Sequence, residues 1–196
     1  MGNKINVDIS KLFIPHPMQL FIFGTYKENG DANLGLFSWL NFCWDGELAV
    51  MVCLDGEKLT KERIKKTNIF SANIVTKPLF PLVKDLERGD SRQLTDIALD
   101  KGSILNVPVL RDSPLNYELE VKRTILLNGS DIFICKIRNV MAISENSCDA
   151  LPYSLKEENP VIVSLDSYFE LQPQNKIGGY NSRPSRLGFL KFFEFS

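Results

Sequence analysis

Histidine is almost absent from this chain: His16 is the single one among 196 residues, and the four cysteines, Cys43, Cys53, Cys135 and Cys148, stand far apart with no Cys-x-x-Cys pair. No zinc-ligand set of recognisable spacing remains, and no metal-binding residue is named. A nucleophilic cysteine needs a neighbouring base, and His16, held between Pro15 and Pro17, reads as a turn residue instead. Cys43, Cys53 and Cys135 lie in apolar runs, where a free cysteine ordinarily serves as a small core residue.

An excess of charge is missing as well. Lys and Arg number 23 against 24 Asp and Glu, for a net charge of −1 and a pI near 5.9. That removes the simplest electrostatic case for nucleic acid or an anionic membrane as partner. No early apolar run reaches the roughly 18 residues of a membrane span, and the N-terminus lacks the charged, apolar, small-residue order of a signal peptide, so the expected location is cytoplasmic. There is no internal repeat, no low-complexity tract and no glycine fingerprint of a Rossmann nucleotide site. Gly178-Gly179 has no strand-loop-helix context and reads as a bend.

What is present is a regular series of strands. With 44% hydrophobic residues the chain can bury a good core as one domain, 1–196. Met18 to Tyr26 is nearly apolar throughout and predicts a strand buried on both sides or partly in an interface. Lys27-Glu28-Asn29-Gly30 makes a turn, followed by strands over Ala32 to Trp44 and Glu47 to Leu54 joined at Asp45-Gly46. A short helix begins at Thr60, and a strand covers Ile69 to Val75. Leu79, Leu82, Val83 and Leu86 recur at helical spacing up to Gly89, and a second, weaker helix is predicted from Gln93 to Leu99. This helical insertion, rich in both charges, could lid a site or cover a partner. Asn116 to Leu127 alternates, with Tyr117, Leu119 and Val121 on one side and Glu118, Glu120 and Lys122 on a wet one. Asn128-Gly129 turns the chain into a long strand from Asp131 to Ile143. Glu145 to Leu155 is irregular, Val161 to Leu165 is a last strand, and Tyr168 to Glu170 extends it. Regular strand spacing and two Asn-Gly turns predict a mainly β fold with α insertions, built as an antiparallel barrel. The tail from Pro173 to Ser196 ends in four phenylalanines, Phe189, Phe192, Phe193 and Phe195, and is expected to pack on the body or on a second subunit.

The most informative stretch runs from Asp31 to Asn73. Thr60 has the residue type that caps a helix, and Lys58, Lys61, Arg63, Lys65 and Lys66 surround it. A helix start offers unpaired N–H groups with partial positive charge, so an anion there would meet backbone donors, a hydroxyl and an ammonium group. An ordinary N-cap with a solvated basic face is the plainer alternative. Upstream, Gly35, Ser38, Asn41 and Cys43 interrupt an apolar run and let a ligand approach the backbone, with Trp39, Phe42 and Trp44 supplying flat surfaces. A buried strand whose aromatics are only core would read the same way.

The order Asn33-x-x-x-x-Ser38-Trp39, Asp45, a strand, then Lys58-x-Thr60-x-x-x-Ile64-x-x-Thr67-x-x-Phe70-x-x-Asn73 resembles the flavin reductase-like family. These are the FMN-binding split barrels that include flavoredoxins and short-chain NAD(P)H:flavin oxidoreductases. Pro108-Val-Leu-Arg-Asp-Ser-Pro-Leu-Asn-Tyr-Glu-Leu-Glu-Val and Asp131-Ile-Phe-Ile-Cys-Lys-Ile extend the likeness over roughly residues 15–170. The resemblance implies an antiparallel split β-barrel in which Ser38, Trp39, Leu40 and Asn41 line the isoalloxazine and ribityl chain, largely through backbone contacts. Cys53 and Leu54 would lie near the flavin, and Lys58 and Thr60 would take the phosphate. The family often has Arg where this chain has Lys58, Asn where it has Arg63, and Pro-Pro where it has Gly46-Glu47; Lys58 keeps the charge without the bidentate fork. The implied function is an oxidoreductase passing electrons from NADH or NADPH through bound FMN to flavin, iron or another small-molecule or protein acceptor. The implied assembly is a homodimer whose second subunit completes each site. Hydride transfer to a flavin requires no side-chain acid or base, so no catalytic residue is named. A non-catalytic FMN-binding electron carrier and a barrel interaction domain without flavin are the alternatives.

Overall fold

The computed structural model of the chain describes residues 16–88, 97–143 and 158–171. The readings made for most of the Gln93 to Leu99 helix, for Glu145 to Leu155 with Cys148, and for the tail from Pro173 onward lie outside the described residues.

The chain opens with β1 (Met18–Gln19) and β2 (Phe21–Tyr26), turns at Gly30, and continues through β3 (Ala32–Phe37), β4 (Leu40–Trp44) and β5 (Leu48–Asp55). Helix α1 (Leu59–Thr67), β6 (Ile69–Ile74), a 3-10 turn over Lys77–Leu79 and helix α2 (Phe80–Arg88) follow. Then come β7 (Leu99–Lys101), β8 (Pro108–Leu110), the long hairpin of β9 (Leu115–Leu126) and β10 (Ser130–Ala142), and the short hairpin of β11 (Val161–Ser164) and β12 (Ser167–Glu170). Seven strands form one sheet in the order β3-β2-β6-β9-β10-β5-β4, with every neighbouring pair antiparallel. β1, β11 and β12 make a second sheet, and β7 with β8 a third. The mainly β, antiparallel architecture expected from the strand spacing is what the chain adopts.

Two expected strands are each divided. The run from Ala32 to Trp44, expected as one strand, is two: β3 pairs with β2 at one edge of the main sheet while β4 pairs with β5 at the other. Only Ser38 and Trp39 join them. Three Cα steps span at most about 11 Å, so the sheet must curl until its two edges nearly meet at this corner. Likewise Met18 to Tyr26 breaks at Leu20, because β1 pairs with β11 while β2 stays in the main sheet. Leu99, the end of the expected second helix, instead opens β7, and Tyr168 to Glu170 does not extend the previous strand but folds back on it beyond Leu165, which takes φ 58°.

The near-continuous apolar character of β2 has the expected cause. Phe21 and Phe23 enter the interior core with Phe37, Val52, Leu54, Ile64, Phe70 and Phe133, while Ile22 joins an outer cluster with Leu34, Val75, Val83, Leu110 and Val161. The two faces of one strand thus serve two cores, each large buried side chain contributing roughly 1.5–3 kcal/mol. Cys135 lies fully in the interior core, where burial pushes its thiol up to about 12, as expected of a packing residue.

The wet face expected for Glu118 is a correction. Glu118 is fully buried, because the loop between β7 and β8 roofs it: its carboxylate accepts the N–H groups of Ser103, Ile104 and Leu105 at 2.8, 3.0 and 2.5 Å and the Asn139 amide at 2.8 Å. An equally closed network holds β8, where Asn73 Oδ1 accepts from Leu110 N–H and from Asn116 Nδ2, and Asn73 Nδ2 donates to the Ile22 carbonyl. Each polar group is taken out of water only because its partner is supplied. Burial pushes the Glu118 carboxyl up, but the hydrogen bonds from Asn139 and the three backbone N–H groups outweigh it and hold the group below its ordinary value. Among the described residues no helix is long and apolar enough to cross a membrane.

Glu118 therefore stabilises the fold above the unfolded carboxylate pKa of about 4.3, and this stability is lost as pH falls through its lowered native value. Glu118→Ala is expected to lower the unfolding free energy at pH 7 by about 3 kcal/mol and to flatten the acid limb of stability against pH, both read from urea melts.

Candidate functional site

β5 ends at Asp55, the chain turns at Gly56 with φ 58°, and α1 starts with an extended N-cap residue, Lys58, that makes no side-chain cap. Thr60 is thus the second helical residue, not the cap that its residue type predicted. Thr60 is buried, and its Oγ1 accepts from Asn33 Nδ2 at 2.9 Å. Gly35 makes that possible, since a Cβ on it would stand 2.8 Å from Thr60 Oγ1 and 2.8 Å from the Phe37 ring. The first bond of the helical ladder runs from Glu62 N–H to the Lys58 carbonyl at 3.0 Å, which leaves the N–H groups of Leu59, Thr60 and Lys61 outside it.

The five cations do not act alike. Lys61 is buried; its ammonium lies 3.3 Å from Asp131 and donates to the Gly56 carbonyl at 2.7 Å, and Lys65 reaches the same carboxylate at 3.1 Å. Arg63, also buried, donates to the Tyr26 carbonyl at 2.8 Å and pairs with Glu28, as does Lys66. Burial pushes the Asp131 carboxyl up, but the hydrogen bonds from Lys65 and Lys61 prevail and leave it below its usual range. Four of the five charges are therefore spent on holding α1 against the sheet, so neither a five-cation anion site nor a wholly solvated basic face describes them. Lys58 differs in its place, at the N-cap itself. Its ammonium sits 2.9 Å from Asp55 Oδ1 and 5.3 Å from the centre of the Phe37 ring, and this hydrogen bond keeps Asp55 below the usual carboxylate range.

The strand side of the corner meets this helix start. Cys53 N–H donates to the Trp39 carbonyl at 3.0 Å, next to the last ladder pair of β4 on β5, Leu40 with Val52. Beyond that point no described residue continues the ladder on the β4 side of Leu54 and Asp55. Trp39 is half exposed, Ser38 and Cys53 are half-buried, and Asn41 is exposed opposite Met51. Leu40 and Leu54 send their side chains into the interior core, so either can offer a ligand only its backbone. Ser38, Trp39, Cys53, Leu54, Lys58 and Thr60 thus gather round one corner, with Leu40 and Asn41 leading away along β4. Asn33, Phe37 and Asp55 belong to the same corner and were not named as site residues. The placement of Asn33 two residues before Gly35, on one side of one strand, was the signal available for it.

The corner combines an ammonium, a helix start and a hydroxyl with an exposed indole and an open strand edge, which suits an anion carried on a planar group. A cavity of about 200 Å³ lies elsewhere, lined by Lys77, Phe80, Val161, Tyr168, Phe169 and Glu170. Its polar groups are turned on one another, Lys77 on Glu170 at 2.9 Å and the Tyr168 hydroxyl on Glu87 at 2.5 Å.

Residues 15–157 match the family model described as "Flavin reductase like domain". The chain belongs to the flavin reductase-like family. No curated protein matches it. Among solved structures, nitrilotriacetate monooxygenase component B from Bacillus cereus superposes with a TM-score of 0.77 at 12% identity, over 90% of this chain and 100% of that one. Flavoredoxin from Methanosarcina acetivorans gives 0.74 at 19% identity, over 95% and 98% of the two chains, and an NADH:FAD oxidoreductase from Streptomyces globisporus gives 0.71 at 10% identity, over 91% and 98%. At such identities the likeness shows the fold, the split barrel of flavin reductases.

Gly35→Ala is expected to destabilise this flavin reductase-like protein by about 1–3 kcal/mol, seen as a lower urea midpoint, because the added methyl meets Thr60 and Phe37 on both sides. An unchanged midpoint would contradict the close approach.

Proposed function

We propose that the protein is an FMN-dependent oxidoreductase that takes electrons from NADH or NADPH and passes them to free flavin, iron or another acceptor. The observation that carries this reading is the convergence of Lys58, the N–H groups of Leu59, Thr60 and Lys61, and the Thr60 hydroxyl beside Trp39 and the open edge of β5. The residues present fit the cofactor. A phosphate monoester carries about 1.5–2 negative charges and three acceptor oxygens, and this corner supplies an ammonium, a helix start and a hydroxyl as donors. Family membership supports the same reading.

In this reading Lys58 and Thr60 hold the phosphate, with Lys58 shared between it and Asp55. Ser38, Trp39, Leu40 and Asn41 flank the ring and ribityl chain through the backbone where the chain crosses from β3 to β4, and Cys53 and Leu54 back it from β5. Bound FMN supplies the two-electron redox chemistry, which asks the protein for position, electrostatics and control of water. Trp39 and the half-buried Cys53 limit water at the strand side, while the Lys58 charge is kept at the phosphate end by Asp55 and Phe37. The whole chain is taken as one cytoplasmic domain acting as a homodimer. The exposed apolar side chains of Trp39 and Phe42 beside β5, and of Ile125, Leu126 and Leu127 at the β9–β10 turn, favour cover by a second copy that completes each site.

Protein purified with added FMN is expected to carry co-eluting flavin bands near about 370 and 450 nm that bleach under anaerobic NADH or NADPH. Bands that persist would indicate an electron carrier instead, and absence of bound flavin would leave the fold without this cofactor. Combined Lys58→Ala and Thr60→Ala is expected to weaken FMN binding about 100-fold with the circular dichroism spectrum retained, and unchanged affinity would overturn the phosphate assignment.

A further inference from the structure

Asn33 lies directly opposite Thr25 in the β2–β3 ladder, so the two side chains share a face of the sheet. Its Nδ2 group donates to Thr25 Oγ1 at 3.1 Å and to Thr60 Oγ1 at 2.9 Å, which uses both amide protons. Gly35, two residues along on the same side, provides the room for α1 to come down onto this amide. One short strand thus contributes a donor and a gap, and both are directed at a single hydroxyl.

The consequence concerns the Thr60 proton. A threonine hydroxyl has one proton to give and two lone pairs to accept with, and Asn33 occupies an accepting position. A mid-helix threonine can return its proton to the carbonyl four residues back, but Thr60 is the second residue of α1, and the residue four back, Gly56, lies before the N-cap and outside the helix. We infer that Asn33 is a positioning residue for flavin phosphate: by donating to Thr60 Oγ1 it turns the Thr60 O–H toward the phosphate, and so selects phosphorylated over unphosphorylated flavin. The inference rests on the phosphate assignment proposed for Thr60 and Lys58, and extends it to a residue that touches no part of the flavin.

The test compares affinities for FMN and for riboflavin, which lacks the phosphate, by quenching of flavin fluorescence in wild type, Asn33→Leu, Thr60→Val and the double variant. The ratio of the two affinities isolates the phosphate end, since a general loosening of the site weakens both ligands alike. Asn33→Leu is expected to reduce the preference for FMN about tenfold in the wild-type background and to leave it unchanged in the Thr60→Val background. A ratio that Asn33→Leu does not move, or moves equally with and without the Thr60 hydroxyl, overturns the positioning role while the phosphate site stands. If Thr60→Val itself leaves the ratio untouched, the phosphate assignment falls, and the inference with it. Should Asn33→Leu not fold, Asn33→Ser, smaller and still polar, removes the amide donor and is judged by the same ratio.

Discussion

The two-residue crossing at Ser38 and Trp39 is the constraint on which the rest of this molecule depends. β3 and β4 are opposite edges of a seven-stranded sheet, yet Phe37 and Leu40 are only three Cα steps apart. A sheet with the usual right-handed twist can satisfy such a short tether only by curling. Curling makes an interior, which Phe23, Phe70, Phe133 and Leu54 fill. It also makes a corner where neither edge can complete its ladder, and unpaired backbone at a corner is where a protein can hold something that is not itself.

A second level of organisation keeps the outer layer in place with buried polar groups. Glu118, Asn73 and Asn116 are removed from water on the outer face of β6 and β9, and each is satisfied by the chain segment that covers it. Apolar contacts alone would hold β7 and β8 with little regard to register, because hydrophobic burial has no direction. A carboxylate that must receive three successive N–H groups allows one placement of that loop.

The charges on α1 show the same economy. Lys61 and Lys65 share Asp131, Arg63 binds a carbonyl of the first hairpin, and Lys66 meets Glu28 from that hairpin's turn. These contacts fix the orientation of the helix, and with it the direction of its first N–H groups. The candidate site is therefore positioned by ion pairs that have no part in it, while its own charge, Lys58, is paired at the helix start with Asp55, the residue that ends β5.

Local chemistry determined much of this from the sequence alone. Alternation, apolar runs and Asn-Gly turns placed the β9–β10 hairpin, β5, β6 and the α2 segment near their observed bounds, since a strand's period and a turn's need for positive φ are properties of neighbouring residues. The order of Asn33, Ser38, Trp39, Lys58 and Thr60 pointed to the family for a related reason: their spacing along the chain survives any folding. Tertiary structure alone decided three matters. It divided the Ala32 to Trp44 run, because the break at Ser38 arises from pairing with two distant strands. It buried Glu118, because the loop that roofs this carboxylate is supplied by residues 103–105, which no alternation within β9 can announce. And it turned Thr60 from a helix cap into a hydroxyl gripped by Asn33, because capping is judged from four consecutive residues whereas this hydrogen bond joins residues 27 apart in the chain.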